Sequence, residues 1–182
     1  MPVPRDVELR PFVPEQLATV RAWFEHPEVR HRLGGPEWPE RALWLQRRDQ
    51  GDEEFRGRRV LRSHTWLAWD GQTPIGFLGG DVYDRWTTWD GSDPDHAVVH
   101  HVEEGPAMGS AYVVDPARWR QGYGTAILRA WVAAGETADV RVFALGVDGD
   151  NAASARCAET AGFTASSREP DWEDTVYFLL RR

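Results

Sequence analysis

The most specific chemical signal in the chain lies in seven residues, Arg118-Trp119-Arg120-Gln121-Gly122-Tyr123-Gly124. A strand-like run, Tyr112-Val113-Val114, leads into them through Asp115-Pro116, where proline removes an N–H and ends the strand. Beyond them Ile127, Leu128 and Trp131 recur at helical spacing. A strand, a glycine turn and a helix start aim several backbone N–H groups at one point, and the helix terminus adds partial positive charge. Gly122 and Gly124 permit close approach, while Arg118 and Arg120 bring full charges. The guest this combination fits is a phosphate or diphosphate. A dinucleotide fold is disfavoured, because Ile127 stands where the third fingerprint glycine belongs.

Composition narrows the partners. A chain of 182 residues is long enough for one domain with a full-sized core. Its net charge of −8 argues against nucleic acid, whose binding is mainly cationic. All 21 cations are arginine, which excludes both a Schiff-base lysine and a Walker lysine. Cys157 is the only cysteine, so no internal disulfide or cysteine-rich metal site is expected. It reads as a small buried hydrophobe, since no histidine stands near it in sequence to make a thiolate. No apolar run approaches ~20 residues, so no membrane span is expected. Met1 to Glu8 lacks signal-peptide character, and a cytoplasmic location follows as the expectation. Ten tryptophans must fill a core or line concave surfaces, and exposed ones would permit a homodimer as readily as a monomer.

The elements around the turn read in order. Val7 to Phe12 alternates as a strand. A helix from Pro14 carries Leu17, Val20, Trp23 and Phe24 on one face and is expected to end at Pro27. A second helix starts near Pro39, and the charge-rich stretch from Asp49 to Arg59 reads as a connection. His64–Trp69 and Thr73–Gly80 flank the turn Asp70-Gly71 as a hairpin. From Asp81 the pattern dissolves, recovering weakly over Ala97–Val102 before the strand Ala107–Val114. Val140–Val147 is a strand, and Asn151–Ala161 a helix closed by Gly162. Phe163–Ser167 and Thr175–Leu180 form a last pair. The sum is an α/β (α+β) chain with a mixed sheet and helices on both faces.

Two stretches together resemble the GCN5-related N-acetyltransferase (GNAT) superfamily. One is the glycine turn, with Trp119 where Arg or Gln is usual. The other is Asn151–Phe163, where Asn151, Ser154, Arg156, Glu159, Gly162 and Phe163 are similar to the motif of ribosomal-protein N-terminal acetyltransferases. The overall layout resembles bacterial aminoglycoside N-acetyltransferases, which carry a similar acidic insertion, here at about 81–104 of a single domain. The resemblance implies a mostly antiparallel sheet with a splayed parallel strand pair at its centre. It implies acetyl-CoA as donor, no metal, and a primary amine as acceptor. The cofactor residues it implies are Tyr112, Val113 and Val114, then Arg118 through Gly124 with Thr125, and Asn151 and Ser154. A backbone N–H near Val113 or Val114 would polarise the thioester carbonyl. Asn151 reads otherwise as a helix N-cap. Many relatives carry an acid tyrosine where Ala158 stands here, which leaves the proton to Ser154, to water or to no group.

The acceptor side is read from charge. Residues 81–104 hold seven carboxylates (Asp81, Asp84, Asp90, Asp93, Asp95, Glu103 and Glu104), interleaved with Tyr83, Trp86 and Trp89. This is either a solvated loop or an acidic lid for a cationic amine, with Asp81, Tyr83, Trp86 and Trp89 binding it. An alkyl ammonium must lose a proton before it attacks. Glu103 or Glu104 is the favoured base, directly or through water, over Asp81, His100 and His101. Ser110 holds the place of a central-strand aspartate in aminoglycoside acetyltransferases. The histidine pair is a poor metal site, since strand neighbours face opposite ways. The expected activity is acetyl transfer to a small cationic amine, an aminoglycoside-like antibiotic or a polyamine. Protein N-terminal acetylation is the alternative enzyme reading, and non-catalytic acyl-CoA binding the alternative of another class.

Overall fold

The computed structural model describes residues 6–47, 54–90 and 98–182. Strand β1 (Glu8–Pro11) is followed by helices α1 (Leu17–Phe24), α2 (Pro27–Leu33) and α3 (Trp38–Arg47). Then come β2 (Glu54–Phe55), β3 (Arg58–Asp70), β4 (Thr73–Asp90) and β5 (Val98–Val114). Helix α4 (Tyr123–Ala133), β6 (Val142–Asp148), α5 (Ala152–Ala161), β7 (Thr164–Ala165) and β8 (Thr175–Arg181) complete it. The main sheet runs β1-β3-β4-β5-β6-β8-β7, with β2 attached to β3. Every neighbouring pair is antiparallel except β5–β6. No helix among the described residues is long and apolar enough to cross a membrane.

Period-2 alternation gives the sheet two apolar faces, and each takes helices. Leu78, Met108, Phe143 and Leu145 pack with Ile127, Leu128 and Trp131 of α4 on one face. Leu67, Phe77 and Val113 meet Val20 and Phe24 of α1, Val29 of α2 and Leu43 of α3 on the other. The β3–β4 hairpin closes with Asp70 opposite Thr73, and Gly71 takes the left-handed conformation that the tight turn requires.

Two expectations are corrected. Pro27 does end α1, but it also begins a helix the reading did not contain. His26 caps α2 by accepting the Glu28 N–H at Nδ1 (3.2 Å), and proline in the first turn has no N–H to lose. The dissolved pattern after Asp81 is likewise no loop. Strand β4 continues to Asp90 and β5 begins at Val98, so the acidic stretch is a β-ribbon. Pairing shifts between Tyr83 and Arg85, a bulge that breaks the alternation on which the strand reading depends. Asp84 serves the ribbon's edge by accepting the Arg59 backbone N–H at 2.9 Å. Asp93 and Asp95, with Ala97, lie outside the described residues.

Candidate active site

Strands β5 and β6 pair from Ala107–Val142 to Ser110–Leu145, and there the pairing stops. Each strand then runs on bound to its other neighbour, β5 to Val114 and β6 to Asp148. A wedge opens in the middle of the sheet. It holds a cavity lined by Ser110, Ala111, Tyr112, Leu145, Gly146, Asn151 and Ser154. This continues into a groove of about 440 Å³, walled by Tyr112–Val114, the turn Arg118–Gly124, the start of α5, and Glu28, Val29, Arg32 and Leu33 of α2.

The turn owes its shape to local chemistry. Asp115 accepts the Ala117 N–H at 3.0 Å, and Arg118 lies 3.4 Å from the same carboxyl group. Trp119 donates its indole N–H to the Val114 carbonyl at 2.9 Å and meets His26 edge-on at 4.7 Å. The side chain that replaces the usual Arg or Gln therefore pins the turn to β5. Gly122 caps α4 at φ 85°, and a Cβ there would touch nothing, so its open face looks into solvent. Gly124 is needed for a different reason than ligand approach. Its Cβ would stand 2.9 Å from Cys157 Sγ, because α4 packs hard on α5. The buried Tyr123, itself among the groove's lining residues, donates its hydroxyl to Asp70 (2.5 Å). Gln121 and Thr125 fall outside the lining. Asn151 is the cap of α5, its Oδ1 accepting the Ser154 N–H at 3.1 Å, and it lines the groove as well.

Sequence reasoning missed α2 as a wall. Arg32 reaches from it to Asp148 (3.0 Å) and to Asp150 beyond β6, with Glu28 beside it at 2.9 Å. These carboxylates, the Asp150 hydrogen bond foremost, hold its guanidinium charge more firmly than usual. The signal was present: proline after a capping residue, then Glu28 and Arg32 four apart.

On the α3 side of the sheet a second cavity, of about 240 Å³, shares Ser110 and Ala111 with the wedge. Trp38, Ala42 and Leu45 roof it, and Gly79, Gly80 and Gly109 form its floor. A Cβ on Gly80 would lie 1.9 Å from the Gly109 carbonyl oxygen, so the strands touch there and only glycine fits. Among the described residues Asp81 is the one ionisable side chain in this lining, and it accepts the Ser63 hydroxyl at 2.5 Å. The three cavities share lining residues in turn: the groove at the turn with the slot between the parallel strands, and that slot with the chamber at Asp81.

The model of the acetyltransferase (GNAT) domain matches residues 6–164. The chain belongs to the GNAT acetyltransferase family. A curated relative, the uncharacterized N-acetyltransferase YfmK of Bacillus subtilis strain 168, is 26% identical over 170 residues, covering 91% of this chain and 90% of its own. Among solved structures, AAC(6')-Ib in complex with parmomycin and acetyl-CoA superposes with a TM-score of 0.68 at 19% identity, covering 97% of this chain and 94% of that one. Aminoglycoside N(6')-acetyltransferase of Legionella pneumophila gives 0.65 at 13% identity, covering 96% and 91%. At these identities the likeness is one of fold.

The GNAT frame leaves several expected residues away from these cavities. Glu103 is bound through both carboxylate oxygens to Arg181 (2.5 and 2.8 Å), whose hydrogen bonds hold it below the usual carboxylate range. Glu104 is exposed, 3.7 Å from Arg85. Both lie six or seven residues along β5 from Ser110, about 20 Å at strand rise, which is too far for a base acting at the wedge. His100 pairs with Asp90 on the ribbon. The aromatic residues expected to hold a substrate cation already hold one of the chain's own. Arg58, 3% exposed, lies 4.3 Å over Trp86, 4.7 Å over Tyr83 and 5.0 Å over Trp89. Burial pulls its pKa down, and among the described residues no carboxylate pairs with it, so the rings' faces solvate the charge. Trp86 is thereby sealed, and Tyr83, mostly through its own burial, has its phenol pushed up to about 12. Asp81 alone of that expected set lines the chamber.

Cys157 supplies a reporter, since its thiol is half-buried in the groove lining. A maleimide will label the free acetyltransferase there, and saturating coenzyme A will slow labelling at least tenfold. Equal rates, followed by mass spectrometry, would place the coenzyme elsewhere.

Proposed function

We propose that the groove takes acetyl-CoA, with its diphosphate on the N–H groups around Gly122, its pantetheine arm in the wedge and its thioester beside Ser110 and Ala111. The residues fit the group: the face of Gly122 is open, Arg118 and Arg120 flank it, and Asn151 and unpaired β5 backbone line the slot. The single observation that supports the reading is that Ser110 and Ala111 line both that slot and the Asp81 chamber. The donor supplies an activated acetyl group, and the chain's residues do the rest. Asp81 attracts a protonated amine and accepts its proton directly or through water. The chamber's apolar roof excludes competing water. A β5 N–H freed by the splay stabilises the charge that develops on the carbonyl oxygen, as an oxyanion-hole donor does.

A small cationic amine is the acceptor we favour, of aminoglycoside or polyamine type. The chamber has room for one ammonium-bearing arm, with the Asp81 carboxylate in its lining to meet it. AAC(6')-Ib, of the same fold, has been solved with aminoglycosides bound. Thiol release from acetyl-CoA across a panel of aminoglycosides, polyamines and N-terminal peptides tests the assignment. Turnover with the first two classes is expected. Turnover with peptides alone would favour the N-terminal acetyltransferase reading, and tight binding with no turnover the non-catalytic one.

A further inference from the structure

Ser154 and Tyr112 reach one another across the groove from different elements. Their hydroxyl oxygens are 3.1 Å apart, and both side chains line the groove and the wedge. Serine and threonine within a helix can turn the hydroxyl back onto a carbonyl one turn earlier. Thr160 of the same helix does so, donating to the Arg156 carbonyl at 2.7 Å. Ser154 makes no such bond among the described residues and is engaged with Tyr112 instead. Only one member of a hydroxyl pair donates, and the phenol is by far the stronger acid. Burial above all, and then the neighbouring Cys157, push the Tyr112 phenol upward, so its proton is always present.

We propose that Tyr112 is a positioning residue which, by donating to Ser154 Oγ, leaves the serine proton aimed into the wedge at the leaving sulfur. The inference rests on acetyl-CoA being the donor. The amine nitrogen bonds to the acetyl carbon, the C–S bond breaks, and its electron pair moves to sulfur. Ser154 donates a hydrogen bond to that sulfur as charge builds on it. Of the two protons the ammonium sheds in becoming an amide, one goes to solvent and one ends on the thiol. Ala158, farther along α5, has no proton to give, and the pair reaches the wedge from β5 and the first turn of α5.

Tyr112→Phe keeps the ring and removes the oxygen, while Ser154→Ala removes the donor. Acetyl-CoA affinity by calorimetry and kcat by thiol release are to be measured for each and for the double variant. Each single variant is expected to lower kcat about tenfold, the worth of one hydrogen bond made in the transition state, with affinity unchanged within about twofold. The double variant should be no worse than either single one, because the two oxygens act as a unit. Undiminished kcat in Tyr112→Phe, or losses that multiply in the double variant, would overturn the proposal. Those results would leave the donor assignment standing, whereas a wild-type protein that binds no acetyl-CoA would remove that assignment and this device with it.

Discussion

Asp81→Asn will lower turnover by about two to three orders of magnitude while leaving acetyl-CoA affinity within about twofold. Removing a general base typically costs ~10²–10⁴ in rate, and the lower half suits a chamber in which water still carries some of the proton traffic. Asparagine preserves size and can still accept the Ser63 hydroxyl that now meets the carboxylate at 2.5 Å. Among the described residues the rest of the chamber lining is glycine, alkyl surface, the Trp38 roof and the hydroxyls of Ser63, Thr65 and Ser110, and none of these is ionisable at neutral pH. Glu103→Gln is the matched control. It breaks the bidentate pair with Arg181 at the far part of β5, away from the chamber, and turnover should stay within about twofold. Steady-state kinetics with saturating amine distinguishes the two. A large loss in Glu103→Gln with none in Asp81→Asn would put the chemistry on the ribbon.

The second large effect concerns the turn. Gly122→Val will weaken acetyl-CoA binding at least tenfold, measured by calorimetry, because a branched side chain then occupies the open face on which the diphosphate would rest. The substitution also strains the backbone, since Gly122 sits at φ 85°, where β-branched residues cost about 1–2 kcal/mol. Gly71→Val separates strain from binding. Gly71 has φ 58° and equally open surroundings, but it lies in the β3–β4 hairpin away from the groove lining. Both variants should melt at a lower temperature than the parent, and only Gly122→Val should lose affinity. Equal affinities in the two would show that the turn is merely structural.

What could be read beforehand follows from range along the chain. The turn, the strand before it and the helix after it are local: proline, glycine and helical spacing specify them within about twenty residues. The second motif is equally local, and Asn151 does cap α5. The failures are long-range. Glu103 and Glu104 stand near the turn in sequence, yet a strand of seventeen residues carries them out along the ribbon. Trp86 and Trp89 looked like a vacant cation site because nothing in the sequence announces that Arg58 folds over them. The ribbon itself was hidden by a bulge, which puts the buried residues out of alternation. Arg32 was overlooked because α2 is short and its partners are Asp148 and Asp150, more than a hundred residues away. The Tyr112–Ser154 pair, forty-two residues apart, depends in the same way on how α5 packs against β5.

A crystal structure of the protein with coenzyme A bears on the central claim most directly. The account predicts the diphosphate against the backbone N–H groups of residues 122–124 and the sulfur at the end of the β5–β6 pairing, facing the chamber that holds Asp81. Density for the coenzyme at another surface, with the wedge and the turn both vacant at saturating concentration, would contradict it.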